Sequence, residues 1–314
     1  MTTTQSTQTP VQNDYQPKAS GPLAEKFITL LIKLTGYSAI LFVLLIFYFL
    51  LSSGLAALTE VPISNLISTR WYPSEEYYGI LPLLGGSLIV TLGASVIAIP
   101  FGIGTAVYIA EIAPRWAREI LKPFIEVLAG VPSVVLGFIG ILVLAPVIRR
   151  LLLIPTGLSA ITGALILGII AVPTIVSVAE DALDSVPRSY RDGALALGAT
   201  EWQTIWKVTF PAARTGILMA VMLGIGRIIG ETIIVMMVTG NAPVMPTSMA
   251  ALFSPVRTMT ATIAAEMGEV AKGSTHYNVL FLIGIILFII SLIINVVSSA
   301  TVFRKKRRAE RILS

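Results

Sequence analysis

Residues 278–303 read NVLFLIGIILFIISLIINVVSSATVF, a stretch that no charged residue interrupts. An apolar helix of about 20 residues is long enough to cross the hydrocarbon core of a bilayer. Five further runs are similarly apolar, and none alternates with the period of two that marks an outer-membrane barrel. The predicted fold class is therefore an all-α integral membrane protein. Its six predicted transmembrane helices cover residues 28–56, 82–110, 119–147, 156–180, 212–239 and 278–303.

The composition argues against a soluble enzyme. Of the 314 residues, 55% are hydrophobic and 12% are charged, whereas an ordinary soluble domain has roughly 25% charged residues. The chain has no Cys and one His, His276, which alone supports no metal site and is expected at the level of the lipid headgroups. It also lacks an H-E-x-x-H motif, a serine nucleophile elbow and the G-x-x-x-x-G-K-[ST] loop of ATPases. We therefore predict no catalytic residue, no metal site and no cofactor.

Charge patterning predicts the orientation in the membrane. With a cytoplasmic N-terminus, 16 of the 22 Lys and Arg residues lie on the cytoplasmic side, five lie on the other side and Arg227 lies within a span. The positive-inside rule then predicts a multi-pass protein of the plasma (inner) membrane with both termini cytoplasmic. Residues 1–24 are predicted to form a disordered polar tail, residues 25–303 the membrane domain, and residues 304–314 a basic tail.

Proline and glycine lie inside several of the apolar runs. Pro100 and Pro132 fall within predicted spans and are expected to kink them. Glycines of the second and fifth spans, among them Gly102 and the G-x-x-x-G pair Gly226 and Gly230, are expected to allow close helix packing.

The longest predicted cytoplasmic loop, residues 181–211, is prone to form helices. Gly198 is placed to end a first short helix in the left-handed conformation. The sequence TEWQ at 200–203 has the form of a capping box, which predicts the start of a second short helix with an apolar face. An amphipathic helix resting on lipid headgroups has the same periodicity, so this alternative stays open.

Residues 192–211, DGALALGATEWQTIWKVTFP, resemble the EAA signature of ATP-binding cassette (ABC) importer permeases, E-A-A-x3-G-x9-I-x-L-P. The spacing matches throughout, while Asp, Gly, Val and Phe replace the signature's Glu, first Ala, Ile and Leu. The resemblance implies the MetI-like fold of type I importers. It also implies a coupling loop, about residues 185–211, that docks into a separate ATPase subunit. The residues that would carry this coupling role are Asp192, Ala194, Gly198, Thr200 and Pro211.

Two opposite charges lie in the fifth predicted span. Arg227 is near the middle of the run 212–239, where an Arg costs roughly 2.5–3.5 kcal/mol on insertion scales. Glu231 follows about 6 Å along the same helix face, so the two charges are predicted to pair. A static pair would merely neutralise both. Alternatively, the guanidinium binds an oxyanion at mid-membrane, and Glu231 holds Arg227 between passages and keeps the anion from binding too tightly.

A narrower resemblance includes these charges. Residues 224–232, GIGRIIGET, resemble the G-x-G-R-x-x-G-E-T stretch of permeases in the phosphate-specific transport (Pst) system, and GVPSVVLG at 130–137 resembles that family's G-[IV]-P-S stretch. The sequences YGILP at 78–82 and GN at 240–241 favour the PstC-type subunit over the PstA-type. Ser133 is a candidate donor to the anion, although a helical serine more often bonds its own backbone.

The resemblance implies the permease subunit of an ATP-driven, binding-protein-dependent importer of inorganic phosphate, with a substrate pathway that includes Arg227, Glu231 and Ser133. The expected partners are a PstA-type permease, two cytoplasmic PstB-type ATPase subunits, an extracytoplasmic PstS-type binding protein, phosphate and the lipid bilayer, but no nucleic acid. A permease for sulfate or molybdate and a non-transporting membrane scaffold stay open as alternatives. On the outer side, residues 241–277 are expected to form a binding-protein contact surface or a short helix.

Overall fold

The computed structural model describes the backbone of residues 22–313 and the side chains of residues 25–296. Most of the predicted tail 1–24 lies outside the described residues, whereas helix continues through the predicted basic tail as far as Leu313. The α-helices are α1 (Pro22–Gly54), α2 (Ala56–Glu60), α3 (Ile63–Leu66), α4 (Leu81–Val107), α5 (Arg115–Ala129), α6 (Ser133–Ile139), α7 (Ala145–Leu152), α8 (Ala160–Asp184), α9 (Arg188–Ala196), α10 (Glu201–Thr204), α11 (Phe210–Gly230), α12 (Ile233–Val238), α13 (Met259–Glu266) and α14 (Thr275–Leu313).

Shorter elements connect or extend these helices. Two strands, β1 (Trp71–Tyr72) and β2 (Tyr77–Tyr78), pair in antiparallel fashion, with Trp71 opposite Tyr78. Turns of 3-10 helix lie at Pro73–Glu75 and Met249–Phe253, and turns of π-helix at Tyr108–Ile112, Gly140–Leu144 and Ile205–Thr209.

Within the described residues, six helical segments are long and apolar enough to cross a membrane, which confirms the predicted all-α class and the predicted number of spans. They are Glu25–Glu60, Leu81–Ile112, Ser133–Leu152, Ala160–Asp184, Glu201–Gly230 and Thr275–Val296.

The chain divides into two compact units, residues 1–49 and residues 50–314. In the first unit, the described side chains of α1 are mostly apolar and exposed on every face of the helix. A helix that is apolar all round suits a membrane span.

The core of the second unit is built around α8, which packs against both α4 and α11. Ile175 of α8 is fully buried between Gly102 of α4 and Gly224 of α11. A Cβ atom at either glycine would come within 2.7 Å of the Ile175 side chain, which confirms the packing role predicted for glycine in these spans. Gly226 and Gly230 differ, because a Cβ atom at either would meet no described atom within 4 Å. The close contact expected at their G-x-x-x-G motif is therefore not made by the described residues.

The third span does not follow its predicted range of 119–147. The amphipathic helix α5 is separate, and the span begins only at Ser133. Between them, Pro132 has φ −60° and ψ 134° and forms the N-cap of α6. Proline lacks the N–H that continues a helix and disfavours helical geometry in the residue before it, so the chain breaks here. The expected kink at Pro132 is thus wrong, whereas Pro100 lies inside α4 as predicted.

The fifth span also departs from the predicted continuous run 212–239. It starts earlier, at Glu201, because α10 continues through a π-helical turn into α11. The second short helix expected in the cytoplasmic loop is therefore the beginning of this span. The helix ends at Gly230, where Glu231 takes an extended backbone with φ −71° and ψ 126°, and α12 follows as a new short helix.

Candidate functional site

Arg227 lies in the last turn of α11, just before the break in the fifth span, and not near the middle of the span as predicted. Its side chain is exposed in this chain, and Nη1 donates a hydrogen bond to Oγ1 of Thr174 on α8 at 3.2 Å. Among the ion pairs formed by the described side chains 25–296, none includes Arg227. The carbonyls at a helix C-terminus carry partial negative charge, which lowers the cost of a cation there. Most of the five guanidinium N–H donors thus remain available to a ligand.

Glu231 occupies the break between α11 and α12 and is half-buried. Its Oε2 accepts a hydrogen bond from Oγ of Ser133, the first residue of α6, at 3.1 Å. Its Oε1 accepts from the backbone N–H of Ile234 at 3.5 Å. The Oγ1 of Thr260 on α13 donates to the backbone carbonyl of Glu231 at 3.2 Å. The third span, the break in the fifth span and α13 therefore meet at Glu231.

The structure brings Ser133 and Glu231 together but does not form the expected ion pair between Arg227 and Glu231. A pair at positions i and i+4 needs a continuous helix, and α11 ends between the two residues. Ser133 likewise bonds the Glu231 carboxylate rather than the backbone of its own helix. Each of the two charges has neutral partners instead of the other charge.

Thr174 and Thr260 take part in this site, and sequence reasoning missed both. Neither residue belongs to a motif or carries a charge; the only local signal is that Thr174 follows a proline within an apolar run. Ser87 and Thr91 of α4 join Thr260 in lining a small cavity beside Glu231. Hydroxyl groups around the break can bind water or polar ligands.

The segment predicted to be the coupling loop, about residues 185–211, has the local structure that its sequence predicts. Gly198 has φ +81°, which ends α9 in the left-handed conformation that only glycine adopts easily. Its N–H donates to the carbonyl of Leu195 at 2.9 Å, and the N–H of Ala199 donates to the carbonyl of Ala194 at 3.1 Å, which together form a Schellman motif. Thr200 then forms the predicted capping box with Gln203, in which each side chain accepts from the other residue's backbone N–H.

The coupling loop presents most of its side chains to the exterior of the chain. No residue of α9 is buried. Asp192, Thr200 and Pro211 are exposed, Ala194 is half-buried, and Leu197 at the bend is 91% exposed. Such exposed apolar side chains mark a surface that a partner or lipid covers.

An ion pair joins α5 to the C-terminal part of the fourth span. Lys122 Nζ lies 2.5 Å from Oε1 of Glu180, whose side chain is 8% exposed. The Glu180 carboxylate raises the pKa of the Lys122 ammonium, although partial burial acts in the opposite direction. Sequence reasoning missed this pair and a second one between Arg191 and Glu111.

A second polar cluster lies in the segment predicted to be extracytoplasmic. The Glu266 carboxylate accepts hydrogen bonds from Arg257 Nη1 at 2.5 Å and from Trp71 Nε1 at 3.2 Å. His276 Nε2 lies 2.9 Å from the other oxygen of Glu266, so His276 is part of this cluster and not an isolated headgroup-level side chain. The sequence predicts either a binding-protein contact surface or a short helix in the segment 241–277. The segment contains the short helix α13.

Comparison with known proteins identifies the family. Residues 98–308 match the family described as binding-protein-dependent transport system inner membrane component. The chain belongs to this family. The matched range includes Ser133, the coupling loop, Arg227 and Glu231.

Individual relatives place this permease more narrowly. It is 44% identical over 232 residues to a probable ABC transporter permease protein, YqgH, from Bacillus subtilis. The aligned region covers 73% of this chain and 74% of the relative. It is 34% identical over 278 residues to the phosphate transport system permease protein PstC from Xylella fastidiosa strain Temecula1, with 82% and 84% covered. The predicted resemblance to PstC-type permeases is confirmed.

Solved structures show the same fold. A bacterial ABC transporter for the acidic polysaccharide alginate matches with a TM-score of 0.62 and 15% identity, over 89% of this chain and 96% of that one. The MetNI methionine ABC transporter matches with a TM-score of 0.53 and 19% identity, over 72% and 94%. The predicted ABC permease fold is therefore confirmed. This permease is a multi-pass membrane protein and a transporter subunit rather than an enzyme.

Proposed function

We propose that this permease is the PstC-type subunit of an ATP-driven importer of inorganic phosphate, and that Arg227 binds the anion as it crosses the membrane. The observation that carries the proposal is the Arg227 guanidinium, which is exposed inside a span and has one neutral partner, Thr174. An Arg within an apolar span is costly unless a partner compensates its charge. An oxyanion compensates that cost well, because the planar guanidinium can donate to two of its oxygens at once.

Glu231 acts in this proposal as the group that limits how tightly phosphate binds. Its carboxylate is held by Ser133 and by the backbone of α12 rather than by Arg227. Its negative charge therefore remains close to the anion's path without neutralising Arg227. Like charges repel more strongly where the dielectric constant is low, so Glu231 favours release.

We assign phosphate rather than sulfate or molybdate as the substrate because several relatives are named phosphate transport permeases. Besides the Xylella fastidiosa protein, a relative from Mesorhizobium japonicum that is 37% identical over 257 residues is named phosphate transport system permease protein PstC. A scaffold without transport activity has no use for an unpaired arginine inside a span.

The proposed assembly pairs this chain with a PstA-type permease, two PstB-type ATPase subunits and a PstS-type phosphate-binding protein. Both termini lie in the cytoplasm, with polar tails 1–24 and 304–314 flanking a membrane domain 25–303. The exposed α9 and the bend at Gly198 support docking of the coupling loop into an ATPase subunit. The residues proposed to carry the coupling are Asp192, Ala194, Gly198, Thr200 and Pro211.

The test is ATP hydrolysis by the complete complex in liposomes. The binding protein is added in three forms: loaded with phosphate, loaded with sulfate, and unloaded. We expect stimulation by the phosphate-loaded form alone, together with uptake of labelled phosphate.

Stimulation by the sulfate-loaded form instead would assign another oxyanion. The absence of stimulation by any form, with all subunits demonstrably assembled, would contradict an importer and favour the scaffold alternative.

A further inference from the structure

Arg191, in the first turn of α9, bonds three elements at once. Its Nη2 and Nε donate to the two carboxylate oxygens of Glu111 at 2.5 Å and 3.2 Å. Its Nη1 donates to the backbone carbonyl of Val186 at 3.0 Å, and Nη2 also donates to that of Leu183 at 3.0 Å. Glu111 lies in the π-helical turn that continues α4, and Leu183 lies in the last turn of α8. One side chain thus joins the coupling loop to the ends of two spans.

Both charges of this pair are largely withdrawn from solvent. The Glu111 side chain is 8% exposed and the Arg191 side chain is 21% exposed. Loss of either partner would leave the other charge buried without compensation, so such a pair resists separation. The geometry is bidentate, which also fixes the orientation of the guanidinium relative to the carboxylate.

The rest of α9 is held much less firmly. No residue of the helix is buried, and its main further contacts are with α10 and with the π-helical turn Ile205–Thr209, both within the fifth span. Besides these contacts with the fifth span, Arg191 provides a part-buried, hydrogen-bonded link from α9 to the ends of α4 and α8.

The same helix α8 continues this connection to the candidate anion site. Thr174, which accepts the hydrogen bond from Arg227, lies nine residues before Leu183 in α8. Nine residues of α-helix span about 13.5 Å. The α8 span is the best buried of the six and is packed between α4 and α11, and close packing of this kind transmits strain.

We propose that Arg191 is the positioning residue that transmits movement of the coupling loop to α8, and through Thr174 to Arg227. The proposal rests on the proposed importer function and adds the route by which ATP-driven closure reaches the anion site. Coupling requires a contiguous element that both sites bias, and α8 is bonded at one end to Arg191 and at its middle to Arg227.

The test compares Arg191→Gln and Glu111→Gln in the complete complex, reconstituted with the phosphate-loaded binding protein. The measured quantity is the number of phosphate ions imported per ATP hydrolysed. We expect at least a tenfold fall in this ratio for each variant, because Glu111 fixes the Arg191 guanidinium in the orientation that also bonds the Leu183 carbonyl of α8. The two changes remove the same positioned group, so combining them should cause no further tenfold fall. Arg191→Lys retains the charge but lacks the fork that bonds a carboxylate and two carbonyls together, so we expect an intermediate ratio.

The matched control is the ion pair between Lys122 and Glu180. It has the same N–O distance of 2.5 Å, and its Glu180 lies in α8, the helix that Arg191 reaches through the Leu183 carbonyl. Its other partner, Lys122, lies in α5, so the pair includes no coupling-loop residue. Lys122→Gln should therefore leave the import ratio unchanged. Thermal unfolding of each variant, measured in parallel, separates a loss of coupling from a loss of stability.

The outcomes distinguish this inference from the proposed function. If the wild-type complex shows neither phosphate uptake nor stimulated ATP hydrolysis, the proposed function fails. If the wild-type complex transports and Arg191→Gln keeps its import ratio, with at most a lower unfolding temperature, the pair is merely structural and the inference is overturned. Should Arg191→Gln fail to assemble, the ratio for Arg191→Lys decides in the same way.

Discussion

Two arginines, one within the coupling loop and one in the span that follows it, form very different sets of hydrogen bonds. Arg191 donates four hydrogen bonds, two of them to the Glu111 carboxylate. Arg227 donates one, to the hydroxyl of Thr174. Both bond to α8, one near its C-terminal end and one near its middle.

The difference separates a charge that positions helices from a charge that is available to a ligand. Fully bonded guanidinium groups in low-dielectric surroundings are rigid. A guanidinium with one neutral partner inside a span is costly, and only part of that cost is offset by its place at a helix C-terminus. The acidic residue that sequence spacing assigns to Arg227 is instead bonded by Ser133, so the free donors of Arg227 are a property of the folded chain.

The largest effect is expected for Arg227→Gln. Two charge-assisted hydrogen bonds contribute roughly 3–6 kcal/mol together, so we expect phosphate uptake to fall more than a hundredfold. Assembly should be retained, because Arg227 forms no ion pair with the described side chains of this chain. Uptake of labelled phosphate and co-purification of the subunits are the measurements.

Arg227→Lys is the control for this variant, since it keeps the charge but loses the planar fork, and its uptake should be intermediate. Uptake that is unchanged in Arg227→Gln would remove the contrast between the two arginines.

A smaller but still severe effect is expected for Gly198→Pro. Proline fixes φ near −65° and has no N–H, whereas Gly198 has φ +81° and donates to Leu195. The bend should therefore be lost, with at least a tenfold fall in uptake and weaker co-purification of the ATPase subunit. Gly198→Asn is the matched control, because asparagine tolerates the left-handed region better than other side chains. Normal uptake with normal co-purification in the proline variant would contradict a coupling role for the bend.

The sequence predicts the bend well because its signals are local. The glycine that ends α9 and the capping box that follows lie within six residues, and each fixes its own backbone geometry. The number of spans is predictable for a similar reason, since the length of an apolar run is a property of the run alone.

The site around the broken fifth span is not predictable in this way. Run length gave one continuous helix, but the break at Glu231 depends on Ser133, 98 residues earlier, and on Thr260, 29 residues later. The pair Arg191 and Glu111 is likewise separated by 80 residues. The break between α5 and α6 is the exception. Pro132 disfavours helical geometry in the residue before it, so a break there is predictable from the sequence, although only a kink was expected.

An intermediate effect is expected for Glu231→Gln. The amide keeps an acceptor for Ser133 but removes the negative charge. A like charge acting over about 10 Å contributes roughly 1.7 kcal/mol at an effective dielectric constant of about 20, so phosphate should bind up to about twentyfold more tightly and leave more slowly. Uptake kinetics should show a lower KM together with a lower maximal rate. Glu231→Asp is the control, and a raised KM in the Gln variant would show that Glu231 helps to bind the anion rather than to release it.

The smallest effect is expected for Thr174→Val. This variant is also the most direct test of the contrast between Arg191 and Arg227. Valine has nearly the same shape as threonine but cannot accept the hydrogen bond from Arg227. A neutral partner of this kind contributes about 0.5–1 kcal/mol, so uptake should fall two- to fivefold, while Thr174→Ser, which keeps the hydroxyl, should match the wild type. Uptake of labelled phosphate at a limiting concentration measures both variants. If Thr174→Val matches the wild type as well, Arg227 needs no partner within this chain, and the route from Arg191 along α8 must reach the anion by packing alone.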